Sequence, residues 1–493
     1  MAGLMVDTTQ GMVHGKREQG VCAWKGIPYA QPIVGELRFA PPQPYGCWDE
    51  VYDASSFSDI CPQQSFLRTK ASEDCLCLNI WSPGADAWKR PVLFFVHGGA
   101  FFHGAGSEGF YNGAILSKTW DVVVVTVNYR LGVLGFLDFS SLDPSFTGNN
   151  GLRDVLLSLE WVQANIENFG GDPRNVTVFG QSAGGTMVST LATLPHARQC
   201  MSKCIIMSGG PTQLQDKAEC AKTSQAFLDF MHIRSARQLL DIDLLDLAKG
   251  QKEFMGQYGL GAATFRLTMD EDLIPENPIP AARQGATAGL PMLIGTTKEE
   301  MALLMIKPLA KILDVHKIVY EGFMQESEQT RKDLSTLYTT RYGERRGLSM
   351  LYTDLLFRIS SVWFAQEASV HSPTWMYRFD YETLALRMNG LHAFHSSDLP
   401  YVFGNLKSAL VRPMFLLNPD MSTVYGVAHE IQHDFVSFAR NGTLPWAPCD
   451  AQQVPAKCYD LGFPIQPMVE DVIREAYQGT VYRMRSLRSR RDA

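Results

Sequence analysis

The sequence lacks the features that mark several broad classes of protein. No run approaches the roughly 18 consecutive apolar residues of a membrane-spanning helix, and the longest candidate, 122–127, predicts a core strand instead. Positive charge is also scarce, because 44 Lys and Arg stand against 51 Asp and Glu, giving a net charge of −7. A nucleic-acid-binding protein needs a basic face. We therefore expect neither a membrane span nor a nucleic-acid partner.

Targeting and metal-binding signals are missing as well. Residues 1–7 lack the basic and hydrophobic regions of a signal peptide, although a processed precursor would look the same. We therefore expect a cytoplasmic protein whose thiols are reduced. The ten cysteines match no zinc spacing, and we expect no metal and no cofactor.

Nothing in the composition divides the chain into separate domains. No linker rich in Pro, Ser or Gly, no charge block and no internal repeat is present, so we expect a single domain over 1–493. The exception is an arginine-rich end, 483–493, for which a disordered basic tail is the first interpretation. A binding patch for anionic surfaces is the alternative.

Strand-like and helix-like patterns alternate along the chain. The apolar spacing of Leu152, Val155 and Leu159 is typical of a helix, while 122–127 is typical of a buried strand. From about 309 to 372 the pattern is largely helical. Strands that alternate with helices predict an α/β fold with a mostly parallel sheet and helices on both faces.

The most informative motif is Gly180-Gln181-Ser182-Ala183-Gly184, which has the form G-x-S-x-G. It follows the β-branched run 175–179 and leads into 184–194, which predicts a helix that Pro195 ends. A nucleophile elbow has this order, because a serine hydroxyl needs a sharp strand-to-helix turn within reach of a base. Ser182 is thus a candidate nucleophile, and a glycine-rich turn with an incidental serine is the alternative.

A second motif lies upstream of the elbow. The buried strand predicted over 92–96 runs directly into His97-Gly98-Gly99. Bare glycine backbone can offer N–H groups to the oxyanion that forms when serine attacks a carbonyl, and the N–H of Ala183 would add another donor. We therefore assign Gly98, Gly99 and Ala183 to a candidate oxyanion hole. A flexible loop after a core strand is the competing interpretation.

The base and its acid should follow the serine along the chain. A cluster at 391–401 mixes polar and aromatic residues as a site loop would, and it contains His392 and His395. Their spacing also suits a metal, but no other ligand cluster supports one. The short strand 292–294 leads to Glu299 and Glu300. The pattern alone does not choose between these two carboxylates.

Further motifs are spread along almost the whole chain. They are WKGIPYA at 24–30 with Arg38-Phe39, EDCLCLN at 73–79, NYRLG at 128–132, GNNGLRD at 148–154 and FGGDP at 169–173. Together with the elbow, these motifs resemble the type-B carboxylesterase family, which includes carboxylesterases and cholinesterases. The chain is most similar to bacterial para-nitrobenzyl-esterase-like enzymes.

The resemblance implies an α/β-hydrolase fold with additional helices that wall an active-site gorge. It also implies a serine carboxylesterase in which Ser182 is the nucleophile, His395 the base and Glu300 the acid. The family acid precedes a glycine, whereas Glu300 precedes Met301. Glu300 nevertheless aligns with the family position in preference to Glu299. The reaction would be ester hydrolysis through an acyl-enzyme.

Two departures bear on the substrate and on the surroundings of the triad. Gln181 stands where the family usually has a glutamate, which in cholinesterases helps to hold a cationic choline group. A neutral amide lacks that attraction, so we expect small neutral esters as substrates. Asp398 stands where the family often has a glutamate, and we expect it to lie behind His395, with a surface carboxylate as the alternative. Cys61 and Cys75 match positions that form a disulfide in secreted relatives.

Two alternatives to hydrolysis are open at this stage. Some family members are non-catalytic adhesion proteins that have lost the serine, although this chain retains it. Transfer of the acyl group to an alcohol would use the same residues, and only product analysis separates the two reactions. The sequence does not define the oligomeric state.

Overall fold

The computed structural model of the protein describes residues 3–63, 70–211, 214–258, 264–305, 323–416, 418, 421–480 and 482–483. Most of the predicted tail at 483–493, and 309–322 of the predicted helical region, lie outside these residues. The chain forms two compact units. The first comprises Met1–Phe179, His196–Ser202 and Gln213–Pro275, and the second comprises Gly180–Pro195, Lys203–Thr212 and Glu276–Ala493. The single domain expected over 1–493 stays a prediction.

The strands of the described residues are numbered in chain order. They are β1 (Met5–Thr8), β2 (Gly11–His14), β3 (Lys16–Glu18), β4 (Val21–Pro28), β5 (Tyr52–Asp53), β6 (Cys77–Ser82), β7 (Arg90–Val96), β8 (Val123–Val127), β9 (Gly171–Gln181), β10 (Lys203–Met207), β11 (Leu214–Asp216), β12 (Leu267–Met269), β13 (Met292–Thr297), β14 (Thr374–Phe379), β15 (Pro455–Tyr459) and β16 (Ile465–Pro467).

The α-helices alternate with these strands. They are α1 (Ala114–Trp120), α2 (Gly132–Phe136), α3 (Asn150–Asn165), α4 (Ala183–Leu191), α5 (Lys217–Phe230), α6 (Ala236–Asp241), α7 (Leu244–Tyr258), α8 (Pro278–Arg283), α9 (Glu328–Tyr342), α10 (Glu344–Thr353), α11 (Ile359–Ser369), α12 (Leu384–Met388), α13 (Leu399–Phe403), α14 (Met421–Asn441) and α15 (Asp471–Ala476). A π-helical segment, Asp354–Arg358, joins α10 to α11.

In the first unit, β7 and β8 pair in parallel, and β8, β6, β4 and β3 then pair antiparallel in that order. The centre of this sheet is shielded from solvent, since every residue of β8 is buried. A strand buried on both faces is expected to be a continuous apolar run, and Val-Val-Val-Thr-Val is one. The strands predicted over 92–96 and 122–127 are thus confirmed as β7 and β8.

In the second unit, β10, β13, β14 and β15 pair in parallel, and β16 closes the edge antiparallel. Parallel strands place their carboxyl ends at one edge, where ligand sites of α/β sheets lie. Helix α4 contacts β10, and α11 contacts β13 and β14. The predicted mostly parallel α/β architecture with surrounding helices is confirmed.

Several predicted boundaries are adjusted by the structure. The elbow strand predicted over 175–179 extends to Gly171–Gln181. The helix predicted over 184–194 begins one residue earlier and ends at Leu191. The N–H groups of Thr193 and Leu194 bond to carbonyls three residues back rather than four. Tightened turns of this kind are common at helix ends, so the α-helix stops before Pro195 rather than at it.

The prediction that Cys61 and Cys75 are reduced is wrong. The two residues form a disulfide with a Cα–Cα distance of 5.0 Å, which lies within the range that a disulfide spans. Both residues are buried, and they are 14 positions apart in the sequence. The backbone brings the two side chains together, which a prediction based on compartment alone could not anticipate.

Candidate active site

Ser182 occupies the turn between β9 and α4, where the backbone is sharply bent. Its φ is 58° and its ψ is −125°, a left-handed φ that few non-glycine residues adopt. The turn is tight enough that a Cβ on Gly180 would lie 2.5 Å from the carbonyl oxygen of Gly184. The Ser182 N–H donates to the carbonyl of Met207 at the end of β10, 2.9 Å away. The local geometry is therefore that of a nucleophile elbow, as the motif predicts.

Glu300 follows the carboxyl end of β13 and opens the 3₁₀ helix Glu300–Met305. Its side chain is fully buried. One carboxylate oxygen accepts from the Thr297 N–H at 2.7 Å and from the Ser208 hydroxyl at 2.6 Å. The other oxygen lies 2.6 Å from Nδ1 of His395. A buried carboxylate is tolerated only when it is partnered in this way.

Glu299 is also buried but has different partners. It forms an ion pair with Arg346, at 2.5 Å and 3.1 Å, and lies 3.9 Å from Nδ1 of His392. His392 in turn contacts Glu382, with 2.6 Å between Nδ1 and the carboxylate. The structure thus brings Glu300, and not Glu299, to His395.

His395 lies in the segment after β14 and is fixed by its backbone to the segment of Glu300. The His395 N–H donates to the carbonyl of Glu300 at 3.1 Å, and the Glu299 N–H donates to the carbonyl of Ala393 at 3.0 Å. The imidazole is 20% exposed, so it can meet a small molecule. The ring of Phe357 packs against it, with 4.6 Å between the ring centroids.

The second imidazole nitrogen, Nε2, contacts Gln181 rather than the serine. The amide nitrogen of Gln181 lies 3.2 Å from it. Since Nδ1 faces the Glu300 carboxylate, Nδ1 carries the proton and the lone pair of Nε2 can accept from the amide. Within the described residues, the Ser182 hydroxyl makes no hydrogen bond. With its proton on Nδ1, His395 would have the tautomer that a general base requires.

Asp398, three residues after His395, is fully buried. It accepts a hydrogen bond from the Tyr377 hydroxyl at 3.2 Å, while its other oxygen has no hydrogen-bond partner among the described residues. Burial, and next the negative charge of Glu300, raise the pKa of Asp398 to about 7. Asp398 is therefore not a surface carboxylate.

The π-helical segment Asp354–Arg358 supports the turn that carries Glu300. Arg358 pairs with Asp354 at 2.7 Å and donates to the carbonyls of Thr297 and Lys298, at 3.1 Å and 2.5 Å. These carbonyls immediately precede the turn that carries Glu300. Burial raises the pKa of Asp354, and the positive charge of the Arg358 guanidinium partly offsets this rise. The guanidinium therefore anchors the end of β13 as well as its own helix.

Sequence reasoning missed Ser208, Phe357 and Arg358. Ser208 had a usable signal, since it directly follows a buried apolar strand, at the end where site residues of α/β sheets gather. Phe357 and Arg358 had none, because they lie in an ordinary helical pattern. Only the tertiary structure shows that Phe357 packs against His395 and that Arg358 bonds to the end of β13.

Gly98 and Gly99 belong to the first unit, where they follow β7. Gly99 has a φ of 118°, and a Cβ there would lie 1.8 Å from the carbonyl oxygen of His103. His97 is buried beside them, stacks on Tyr129 at 4.3 Å and contacts the Gly98 carbonyl through Nδ1 at 2.7 Å. Burial lowers the pKa of His97 to about 4. This loop is therefore tightly folded around a neutral imidazole.

Ala183, the other predicted donor, belongs to the second unit and begins α4. The first N–H groups of a helix have no partner within the helix. The N–H of Ala183 is therefore available for a partner outside α4.

None of the helices in the described part of the chain combines the length and apolar composition that crossing a membrane requires. Likewise, within 3–63, 70–211 and the other described ranges, no three His, Cys, Asp or Glu side chains are grouped as metal ligands.

Comparison with known proteins gives consistent matches over most of the chain. The model of the Carboxylesterase family matches residues 2–455. The para-nitrobenzyl esterase of Bacillus subtilis (strain 168) is 37% identical over 456 residues, which cover 90% of this chain and 91% of the relative. The liver carboxylesterase of Sus scrofa is 32% identical over 76% of this chain and 75% of its own.

Solved structures give the same result. A structure named PNB esterase superposes with a TM-score of 0.86 at 34% sequence identity and covers 96% of this chain and 100% of its own. A second structure, of a thermophilic PNB esterase, gives a TM-score of 0.87 at 33% identity over 96% of this chain and 100% of its own. The fold is that of these esterases.

Proposed function

The chain belongs to the carboxylesterase family and is a carboxylic ester hydrolase, and from this premise we propose that Ser182, His395 and Glu300 are its catalytic triad. One observation carries the proposal: His395 contacts Glu300 through Nδ1 at 2.6 Å and, through Nε2 at 3.2 Å, the residue that precedes Ser182. An acid and a base are thus in contact, and the base lies beside the residue that precedes the elbow serine, which supports the order of acid, base and nucleophile that acyl transfer needs.

In the proposed reaction, His395 Nε2 takes the proton of the Ser182 hydroxyl as its oxygen attacks the ester carbonyl. Glu300 keeps the imidazole in the correct tautomer and stabilises the imidazolium that forms. The tetrahedral intermediate collapses, its bond to the alcohol breaks, and the alcohol leaves with the proton from His395. Water then repeats both steps, so that the acid is released and Ser182 is restored.

The oxyanion hole is a further part of this proposal. The backbone N–H groups of Gly98, Gly99 and Ala183 would donate to the carbonyl oxygen as it becomes negative. Losing one such donor typically costs a factor of roughly 10² to 10³ in kcat. The positive φ of Gly99 after β7 and the position of Ala183 at the start of α4 are consistent with this role.

We propose small neutral esters as the substrates, para-nitrobenzyl and short para-nitrophenyl esters among them. Gln181 carries no charge, so it gives no Coulomb attraction for a cationic alcohol group. The curated relative named para-nitrobenzyl esterase supports this class of substrate.

Release of para-nitrophenol from para-nitrophenyl butyrate tests the proposal. We expect Ser182→Ala to lower kcat by roughly 10⁴- to 10⁶-fold, because the nucleophile is removed. Ser140→Ala, at an exposed serine of the first unit, is the matched control and should retain wild-type turnover. Turnover that survives in Ser182→Ala would exclude Ser182 as the nucleophile.

The cytoplasmic location expected from the sequence remains a prediction, which fractionation of the source cells tests. The Cys61–Cys75 disulfide argues against this location, because cytosolic thiols are kept reduced. Isolation of the protein under alkylating conditions tests whether the disulfide is present in the cell.

A further inference from the structure

The contact between Gln181 and His395 needs an explanation of its own. In a resting triad the serine hydroxyl usually donates to the base, yet among the described residues the donor in contact with Nε2 is the Gln181 amide, at 3.2 Å. Gln181 is 2% exposed, so its side chain is held in place by the protein rather than by solvent. Its backbone is held in the sheet as the last residue of β9.

The chemistry of this contact is directional. An amide nitrogen can only donate, so it binds Nε2 only while Nε2 has a free lone pair. With the amide in this orientation, protonation of Nε2 would set two donors against each other and abolish the hydrogen bond. A glutamate at the same position would do the reverse, since a carboxylate only accepts and therefore favours the imidazolium.

We propose that Gln181 is a positioning residue that holds His395 in its neutral, Nδ1-protonated form and keeps the base functional at a lower pH than a glutamate would. This inference rests on the proposed catalytic triad. Gln181 contacts Nε2 only in the resting state and releases it when the Ser182 hydroxyl takes its place, so it acts through the imidazole and not on the substrate.

Other charged groups face the same imidazole and must be held constant in any test. Glu300, on the turn after β13, contacts Nδ1 directly. Asp398, in the segment of His395 itself, interacts with it electrostatically. On the π-helical segment, the neutral ring of Phe357 covers the imidazole, and the Arg358 guanidinium is paired with Asp354. None of these residues is replaced in the variants that test Gln181.

The test is the pH dependence of kcat/KM for para-nitrophenyl butyrate in four proteins: wild type, Gln181→Met, Gln181→Glu and Gln478→Glu. Methionine keeps the length of the side chain but donates no hydrogen bond. We expect the midpoint of the acid limb to rise by about half a pH unit in Gln181→Met. In Gln181→Glu it should rise by about one to three units. Gln478→Glu, at an exposed residue, adds the same charge elsewhere and should not move it.

Each outcome decides a separate point. If Gln181→Met matches wild type while Gln181→Glu is shifted, charge alone acts and the hydrogen bond proposed here is absent. If neither variant is shifted, Gln181 has only a structural role and the inference is wrong. Thermal unfolding of each variant shows whether it is folded. A wild type without Ser182-dependent turnover would instead overturn the proposed function, which distinguishes the two failures.

Discussion

At the residue scale, the adjacent carboxylates Glu299 and Glu300 are both buried but have different partners. Glu300 faces His395, whereas Glu299 forms an ion pair with Arg346, whose side chain is 46% exposed. The local pattern does not separate the two, because both follow the same strand, and only the family resemblance favours Glu300. The structure separates them by the direction in which each side chain leaves the turn.

The pair Glu300→Gln and Glu299→Gln tests this separation. We expect Glu300→Gln to lower kcat by roughly 10³- to 10⁴-fold, because an amide that donates to Nδ1 stabilises the wrong tautomer of His395. Glu299→Gln should change kcat by less than about tenfold, since its partner is Arg346. Steady-state kinetics on para-nitrophenyl butyrate provide the comparison. Equal losses in the two variants would contradict the assignment.

Asp398 gives a prediction about stability and pH. Its pKa in the folded protein is about 7, raised by burial and by Glu300, against about 3.9 in an unfolded chain. Between about pH 3.9 and pH 7, Asp398 is protonated in the folded protein but ionised in the unfolded chain, so the folded state binds one proton more. The contribution of this carboxyl to stability is therefore fully present at low pH, and it is lost progressively as pH rises from about 3.9 through 7.

The variant Asp398→Asn should lack this loss, because an asparagine side chain does not titrate. Relative to wild type, its free energy of unfolding should increase by about 3 kcal/mol between pH 5 and pH 8. Denaturant unfolding of both proteins at these two pH values measures the difference. Parallel pH dependences would show that Asp398 is not a buried, protonated carboxyl.

At the element scale, the π-helical segment Asp354–Arg358 links the acid turn to the helices behind it. Its ion pair is buried, since the side chains of Arg358 and Asp354 are 6% and 0% exposed. Arg358→Met would leave Asp354 without its cation and release two carbonyls at the end of β13. Breaking a buried pair in this way costs about 3–5 kcal/mol.

The matched control is Arg341→Met, since Arg341 pairs with Glu470 at the surface, where both side chains are more than a third exposed. Surface pairs contribute about 0–1 kcal/mol. Denaturant unfolding should therefore show a large loss for Arg358→Met and almost none for Arg341→Met. The kcat of Arg358→Met should also fall, because the turn that carries Glu300 loses its anchor. Similar stabilities of the two variants would contradict this role.

The sequence predicted those elements whose signal is local. Residues 92–96 of β7, the whole of β8 and residues 176–179 of β9 are apolar or β-branched runs, and the elbow is defined by glycines that tolerate close backbone contacts. The π-helical segment could not be predicted, because one extra residue per turn leaves no mark in composition and depends on what the helix packs against. The residues of the proposed triad could be chosen from motifs, but the hydrogen bond from Ser208 to Glu300 could not.

At the scale of the whole molecule, the family and fold were predictable because matching motifs extend from Trp24 to His395. Such motifs report shared architecture rather than the state of individual thiols. The disulfide was therefore misjudged, although the resemblance itself pointed to Cys61 and Cys75. The cytoplasmic location was inferred because a signal peptide is missing. The disulfide depends instead on two buried cysteine side chains that the fold brings together.

The disulfide gives a last prediction, on the stability of the molecule. A crosslink between residues 14 positions apart restricts the unfolded chain and should contribute about 3 kcal/mol. The double variant Cys61→Ser/Cys75→Ser should lose this amount in denaturant unfolding. Cys47→Ser, at an exposed free cysteine, should lose almost none. A reductant should destabilise wild type to the level of the double variant and leave the latter unchanged, because only an intact crosslink can be reduced. A reductant effect that persists without Cys61 and Cys75 would assign the stabilisation to other thiols.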